Sequence, residues 1–213
     1  IDAEILIDHA WGYEPVGLKE IKSYKSKQKG MGSGQVLHEP YTFEKAKIIV
    51  REMAENLVAE MVEKKVRADS MSLFVGYDIE STELALSLAD KEVVTDFYGR
   101  QSPKPSHGTV RFYRHTSLGS QIVDALVDLY EKITEKQFFI RRINLTANNV
   151  IYSSHEEIGL FDDVVQIQKE ESLQSTMLGI KRKFGKNSLL KGTNLQEGAT
   201  MIERNQQIGG HKA

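Results

Sequence analysis

The stretch ADSMSLFVGYDI, residues 68–79, changes the period of the chain. Met71, Leu73, Val75 and Tyr77 alternate with Ser72, Phe74 and Gly76, the period-two pattern of a strand with one face turned to a core. Just upstream the period is longer. Phe43, Ala46, Val50, Met53, Leu57 and Met61 recur at steps of three and four, one apolar stripe on a helix from Phe43 to about Lys65. Thr42 stands at the N-cap, with Lys45 rather than an acid three residues on, so no reciprocal capping box is expected.

Upstream of this helix–strand pair, QVLHEPY (35–41) reads as a short extended piece ended by Pro40, and KSKQKGMGSGQ (25–35) reads by composition as a linker. Residues 1–24 read as two short helical pieces punctuated by GYEPVG. The chain opens on Ile1 in what looks like mid-helix, so a fragment is expected. Downstream, 80–108 reads as a long irregular loop containing GRQSPKPSHG, in which ELALSLA (83–89) packs locally. TVRFYRH (109–115) is a second strand. A helix over about 119–135 follows, with Ile122, Ala125, Leu126, Leu129 and Ile133 as its apolar face, and FFIRRINLTANNV (138–150) supplies the last strand.

The order strand, helix, strand, strand, helix, strand predicts an α+β fold of split βαβ type (βαββαβ). Four strands form one sheet, two helices cover one face, and short helices flank it. The other face is left open and reads as a surface. Beyond it lie HEEIGLFDD (155–163), a helix carrying Leu173, Met177, Ile180 and Phe184 with Gly185 as its stop, and the amide-rich tail RNQQIGGHKA (204–213).

Composition narrows the function classes. With 40% hydrophobic and 27% charged residues the chain is expected to fold, and a net charge of −2 requires any basic surface to be local. The absence of cysteine excludes disulfides, thiolate metal sites and a cysteine nucleophile. No apolar run approaches the roughly 18 residues of a membrane helix, so an intracellular protein is expected. Nucleophile-elbow, HExxH and phosphate-loop patterns are missing. The histidines at 9, 38, 107, 115, 155 and 211 have no ligand-like spacing. Glu156, Glu157, Asp162 and Asp163 read as a solvated charge run rather than a magnesium site.

IDAEILIDHAWGYEP, GSGQVL, VGYDIES, YGR followed by PKPSHGT, RRINLTANNV, FGKN and RNQQIGGHKA together resemble the C-terminal half of a Y-family translesion DNA polymerase, of the firmicute branch related to DNA polymerase IV and UmuC. The resemblance covers essentially the whole chain. It implies that residues 1–24 are the end of the helical thumb, 25–33 a linker, 34–152 the little finger domain, and 153–213 a C-terminal extension. It implies no cofactor in this fragment. The magnesium-dependent palm and fingers of the parent polymerase would lie upstream. Double-stranded primer–template DNA is the implied partner, in the cytoplasm at the nucleoid, with no membrane contact.

Phosphate contacts need donors and position DNA without reading its sequence. Gly32, Ser33, Gly34 and Gln35 are candidates for amides brought close to a phosphate. Ser70, Ser72, Arg111, Arg141, Arg142, Asn144 and Thr146 are candidates on the open sheet. Adjacent arginines point to opposite faces, so at most one of Arg141 and Arg142 belongs squarely on the DNA side. Lys25, Lys27 and Lys29 would add mobile charge.

The family resembled also carries a sliding-clamp motif of the form Gln-Leu-Ser/Asp-Leu-Phe. The matching segment is Glu157, Ile158, Gly159, Leu160 and Phe161, with Leu160 and Phe161 as apolar anchors. Glu157 lacks the amide donor and Gly159 makes ordering costlier, so weak binding to a bacterial sliding clamp is expected. The alternative is an interaction module that docks on the clamp or a repair partner. Clustering of Arg111, Arg142, Gln35 and Ser72 on one face would favour DNA.

Overall fold

The computed structural model describes residues 3–14, 16–23, 30–153, 155–160 and 162–207. Its elements run α1 (Ala3–Ala10), α2 (Leu18–Ser23), β1 (Met31–Tyr41), α3 (Phe43–Lys64), β2 (Val66–Tyr77) and α4 (Thr82–Ser87). There follow β3 (Val93–Thr95), β4 (Gln101–Pro103), β5 (Ser106–Thr116), α5 (Gly119–Ile133), β6 (Ile140–Asn148), β7 (Ile151–Tyr152), α6 (Val164–Phe184) and α7 (Met201–Arg204). The linker lysines Lys25, Lys27 and Lys29, the anchor Phe161 and the tail from 208 lie outside the described residues.

The main sheet has the order β1–β6–β2–β5, every neighbouring pair antiparallel, with β7 pairing the start of β2. β1 and β2 therefore run parallel with β6 between them, and β5 and β6 run parallel with β2 between them. Each helical connection crosses one strand, which is the split βαβ arrangement predicted from the order of periods. The fold is α+β, with α3 and α5 on one face.

Alternation sets that face. Met71, Leu73 and Val75 of β2 lie opposite Ala147, Leu145 and Ile143 of β6, and all six are buried. They meet Ile49, Val50, Met53 and Leu57 of α3 and Ile122 and Leu126 of α5. Burying each such side chain contributes about 1.5–3 kcal/mol. Thr42 caps α3 by accepting from the Lys45 amide, and Lys65 ends it in the left-handed region at φ 54°. The apolar face of α5 is rotated from the sequence reading. Val123, Val127 and Tyr130 are buried, while Leu129 and Ile133 sit half-buried over Gly108. Tyr130 stacks on Phe43 at 4.8 Å and donates its hydroxyl to the Phe43 carbonyl at 2.8 Å. Period alone cannot see this, because the face of α5 is chosen by α3 as well as by the sheet.

Three further differences stand out. β1 begins at Met31, inside the stretch read as linker, because pairing with β6 gives its glycines a ladder to join. Residues 80–108 are ordered: a 3₁₀ turn (Ile79–Ser81), α4, and the β3–β4 hairpin. α6 starts at Val164, capped by Asp163, well before the apolar residues from 173 that signalled it.

The C-terminal extension is fastened by two buried polar hubs. Arg67, 4% exposed, donates from Nε to Glu156 at 2.8 Å and from Nη2 to Glu171 at 2.9 Å, and also bonds the Ser153 carbonyl. Glu156 accepts the Ser117 amide and hydroxyl, each at 2.8 Å. Glu52, 2% exposed on α3, accepts from Asn194 Nδ2 at 2.9 Å, the Thr200 amide at 2.8 Å and the Met201 amide at 3.1 Å. Glu170 of α6 accepts the Ser120 amide and hydroxyl at the start of α5, whose own N-cap, Leu118, makes no side-chain cap.

Candidate nucleic-acid interface

The face of the sheet opposite the helices is built by the same alternation. Register aligns Gly32, Thr146, Ser72 and Thr109 in one row and Gly34, Asn144, Phe74 and His107 in the next. Val36, Arg142 and Gly76 form a third, while Asn148, Ser70 and Arg111 form a fourth on the other side. None of these positions is acidic. The nearest carboxylates stand at the rim of the face, Asp69 beside Ser70 and Arg111, and Asp78 and Glu80 beside Arg142.

Glycines let the face lie flat. A Cβ at Gly34 would stand 2.6 Å from Asn144 Oδ1, and one at Gly32 would stand 3.3 Å from Thr146 Oγ1. The two β6 side chains therefore lean over β1. β1 is an edge strand among the described residues, so its outer row of backbone groups has no strand partner.

Of the residues expected to bind DNA, Gly32, Gly34, Ser70, Ser72, Arg111, Arg142, Asn144 and Thr146 share this face. Three do not. Gln35 and Ser33 alternate to the helix side. There Gln35 donates from Nε2 to Thr200 Oγ1 at 3.0 Å and accepts from Arg204. The sequence offered no view of this, because the partners lie some 165 residues away. Arg141 is the extra residue of a bulge, where the register between β2 and β6 shifts between Gly76 and Tyr77. It donates from Nη1 to the His38 carbonyl at 3.0 Å and lies 3.7 Å from Asp78. Arg142 is the arginine on the open face.

Arg111 and Arg142 are exposed and, among the described residues, make no ion pair and no side-chain hydrogen bond. The hydroxyls are less available. Ser72 shares a 2.8 Å bond with Thr109 and accepts from Asn148 at 2.9 Å, while Ser70 donates to Asp69 at 2.7 Å. Asp69 sits at the rim. The Ser70 hydroxyl, then the Asn149 amide, hold its carboxyl below the ordinary range, with His115 and Arg111 adding attraction. Thr109, His107 and Asn148 belong to this surface too. Their phase with Arg111 and with Asn144 and Thr146 was the signal that would have found them.

The clamp-motif-like segment is held away from the sheet's centre. Arg114 Nη1 donates to the Glu157 carbonyl at 2.8 Å, and Nη2 donates to Asp162, whose carboxylate accepts the Gly159 amide at 2.7 Å. That amide, more than Arg114, keeps the Asp162 carboxyl below its ordinary range. A Cβ at Gly159 would lie 2.9 Å from the guanidinium. Leu160 is 92% exposed and Ile158 half exposed.

Among the described residues no three His, Asp or Glu side chains converge to hold a metal ion, and no helix is long and apolar enough to cross a membrane. Glu156, expected in a solvated charge run with Glu157, Asp162 and Asp163, is instead buried and bonded to Arg67 and Ser117.

What fold and face define is an α+β domain with an arginine-bearing sheet surface whose strand positions are not acidic and whose acids, Asp69 at one end and Asp78 and Glu80 at the other, stand at the rim. The model of the impB/mucB/samB family C-terminal domain matches residues 28–160. That is more than half of the chain, and the chain belongs to this family. Among solved structures, the complex of a beta-clamp processivity factor with the little finger domain of PolIV aligns at 7% identity. It covers 62% of this chain and 99% of that one, with a TM-score of 0.34. The insertion ternary complex of Dbh DNA polymerase aligns at 11% identity over 63% of this chain and 33% of that chain, TM-score 0.36. A Y-family DNA polymerase chimera aligns at 15% identity over 71% and 36%, TM-score 0.35. The chain spans about a third of the length of these two polymerases. No curated protein matches.

Proposed function

We propose that this chain is the thumb end and little finger of a Y-family translesion DNA polymerase of the DNA polymerase IV and UmuC type, and that it grips primer–template duplex through phosphate contacts. The observation that carries the reading is the open face, where Arg111 and Arg142 are exposed and make no ion pair among the described residues, in a field of glycines, hydroxyls and amides. Such a surface holds a polyanion without reading bases, which suits an enzyme that must tolerate damaged templates. The family membership supports the same reading. The chain acts at the nucleoid, and magnesium-dependent nucleotidyl transfer belongs to parts of the parent outside the residues described.

The test is binding of the chain to a fluorescent blunt duplex across a salt series, beside the Arg111→Ala/Arg142→Ala double variant. Log affinity falls linearly with log salt for the wild type. The variant binds more weakly with a slope shallower by about two, since each neutralised phosphate contributes roughly 0.9. Equal slopes for the two proteins overturn the reading.

A second reading is favoured by one observation. Leu160 is turned outward on a segment fixed by Arg114 and Asp162, as a docking anchor would be. A bacterial sliding clamp is the partner this segment would meet, and loss of clamp binding in Leu160→Ala tests it.

A further inference from the structure

The β3–β4 hairpin ends in Asp96, Phe97, Tyr98, Gly99 and Arg100. Phe97 is 96% exposed and Tyr98 79% exposed, two neighbouring aromatic rings presented together to solvent on one tip. The tip is also held in shape. Asp96 Oδ1 accepts the Tyr98 and Arg100 amides, each at 2.9 Å, and Oδ2 accepts Arg100 Nε at 2.8 Å. The Asp96 amide donates to the Arg100 carbonyl at 2.9 Å, and Gly99 takes the positive φ of 79° that closes the turn. Phe97 and Tyr98 meet edge to face at 5.4 Å, and the Arg100 guanidinium lies 5.4 Å from the Tyr98 ring centre. The hairpin base is tied down as well, through Thr82 Oγ1 to the Gln101 carbonyl at 3.0 Å and Lys104 to Glu92 at 2.7 Å.

The tip stands beside the open face. Asp96 and Arg100 line one cleft with Arg142, Phe74 and Gly76, so the hairpin forms a wall at one end of the candidate interface. The cleft also holds Asp78 and Glu80. Asp78 lies 3.7 Å from Arg141, and Asp96 is paired with Arg100.

We propose that Phe97 and Tyr98 form a stacking platform for an unpaired base, at the junction where single-stranded template leaves the duplex held on the open face. Every base offers a π-face to an aromatic ring, so stacking is tolerant of sequence as the phosphate contacts are. Arg100, held by Asp96 at 5.4 Å from the Tyr98 ring centre, adds a planar cation to the stacking surface. A tip already fixed by Asp96 loses little freedom on binding. The inference rests on the proposed DNA grip and adds to it a preference for single strand beside duplex.

The test uses the whole chain with two probes, a blunt duplex and the same duplex carrying a single-stranded template overhang with 2-aminopurine as its first unpaired base. Wild type binds the overhang probe about ten-fold more tightly than the blunt one, and the 2-aminopurine emission is quenched. Phe97→Ala/Tyr98→Ala loses the preference and the quenching while keeping the blunt-duplex affinity. Tyr98→Phe keeps both. Equal affinity of wild type for the two probes overturns the inference and leaves the duplex grip standing, as does a preference that survives in the double variant. A dimer that dissociates only in the double variant, with no overhang preference, assigns the tip to a second copy of the chain and overturns it too. Binding to neither probe overturns both readings.

Discussion

The backbone amide of Thr200 donates to Oε2 of Glu52 at 2.8 Å, so a carboxylate buried on the long helix fastens the C-terminal segment to the domain. Met201 and Asn194 donate to the same carboxylate. Through Thr200 and Arg204 the attachment continues to Gln35 on β1, the edge strand of the candidate interface.

Replacing Glu52 with Ala strands these donors. The expected loss is about 3 kcal/mol by urea denaturation, since each unsatisfied buried donor costs roughly 1–3 kcal/mol and part is recovered by water entering. Glu52→Gln keeps one accepting oxygen for the Thr200 and Met201 amides but turns its NH2 toward the Asn194 donor, and costs about 1–2 kcal/mol. Faster proteolysis within 185–207 should accompany the Ala change.

Arg67→Ala removes the one cation between Glu156 and Glu171. Breaking one side of a buried pair costs about 3–5 kcal/mol, because a charge is left without its partner. Arg67→Lys does not restore it, as a single ammonium cannot bond two carboxylates and the Ser153 carbonyl from one fork. Denaturation midpoints of both variants check this.

Gly108 faces the helices, and a Cβ there would stand 3.0 Å from Leu129 and 3.3 Å from Ile133. Gly108→Ala should cost about 1–2 kcal/mol by overpacking, read as a lower Tm. Gly34→Ala meets only the movable end of Asn144 on the open face and should stay within about 0.5 kcal/mol.

Acid should release the clamp-motif-like segment. The folded Asp162 carboxyl titrates below its unfolded value, so its contribution is present above the unfolded pKa and is lost as pH falls through the folded one. Protection of the Gly159 amide from exchange should therefore fall below about pH 4, the ordinary aspartate range. In Asp162→Asn the step should be absent, with protection low at every pH.

Much of the fold was legible because period is a local property. The alternation from Met71 to Tyr77 and the stripe from Phe43 to Met61 each lie within one element, and all their members are buried. The choice between Arg141 and Arg142 was narrowed by the same alternation. Alternation in phase with Asn144 and Thr146 puts Arg142 on the open face, and a bulge where β6 meets both neighbours turns Arg141 to the His38 carbonyl and Asp78. The β3–β4 hairpin was missed because its strands are three residues long and carry no period to read.

By itself, then, the sequence determined the order of the four long strands and their two crossover helices, the side of β2 and β6 that meets the core, and a family resemblance whose C-terminal-domain part the impB/mucB/samB family model bears out over residues 28–160. Tertiary structure alone decided that Gln35 turns to Thr200 and Arg204, that Glu52 and Arg67 are buried hubs, and that Asp96 and Arg100, which flank Phe97 and Tyr98, share a cleft with Arg142 at the edge of the open face. The division has one physical cause. Hydrophobic periodicity is written in neighbours along the chain, whereas a buried charge or an aligned row of donors depends on partners brought from far along it, and only packing selects them.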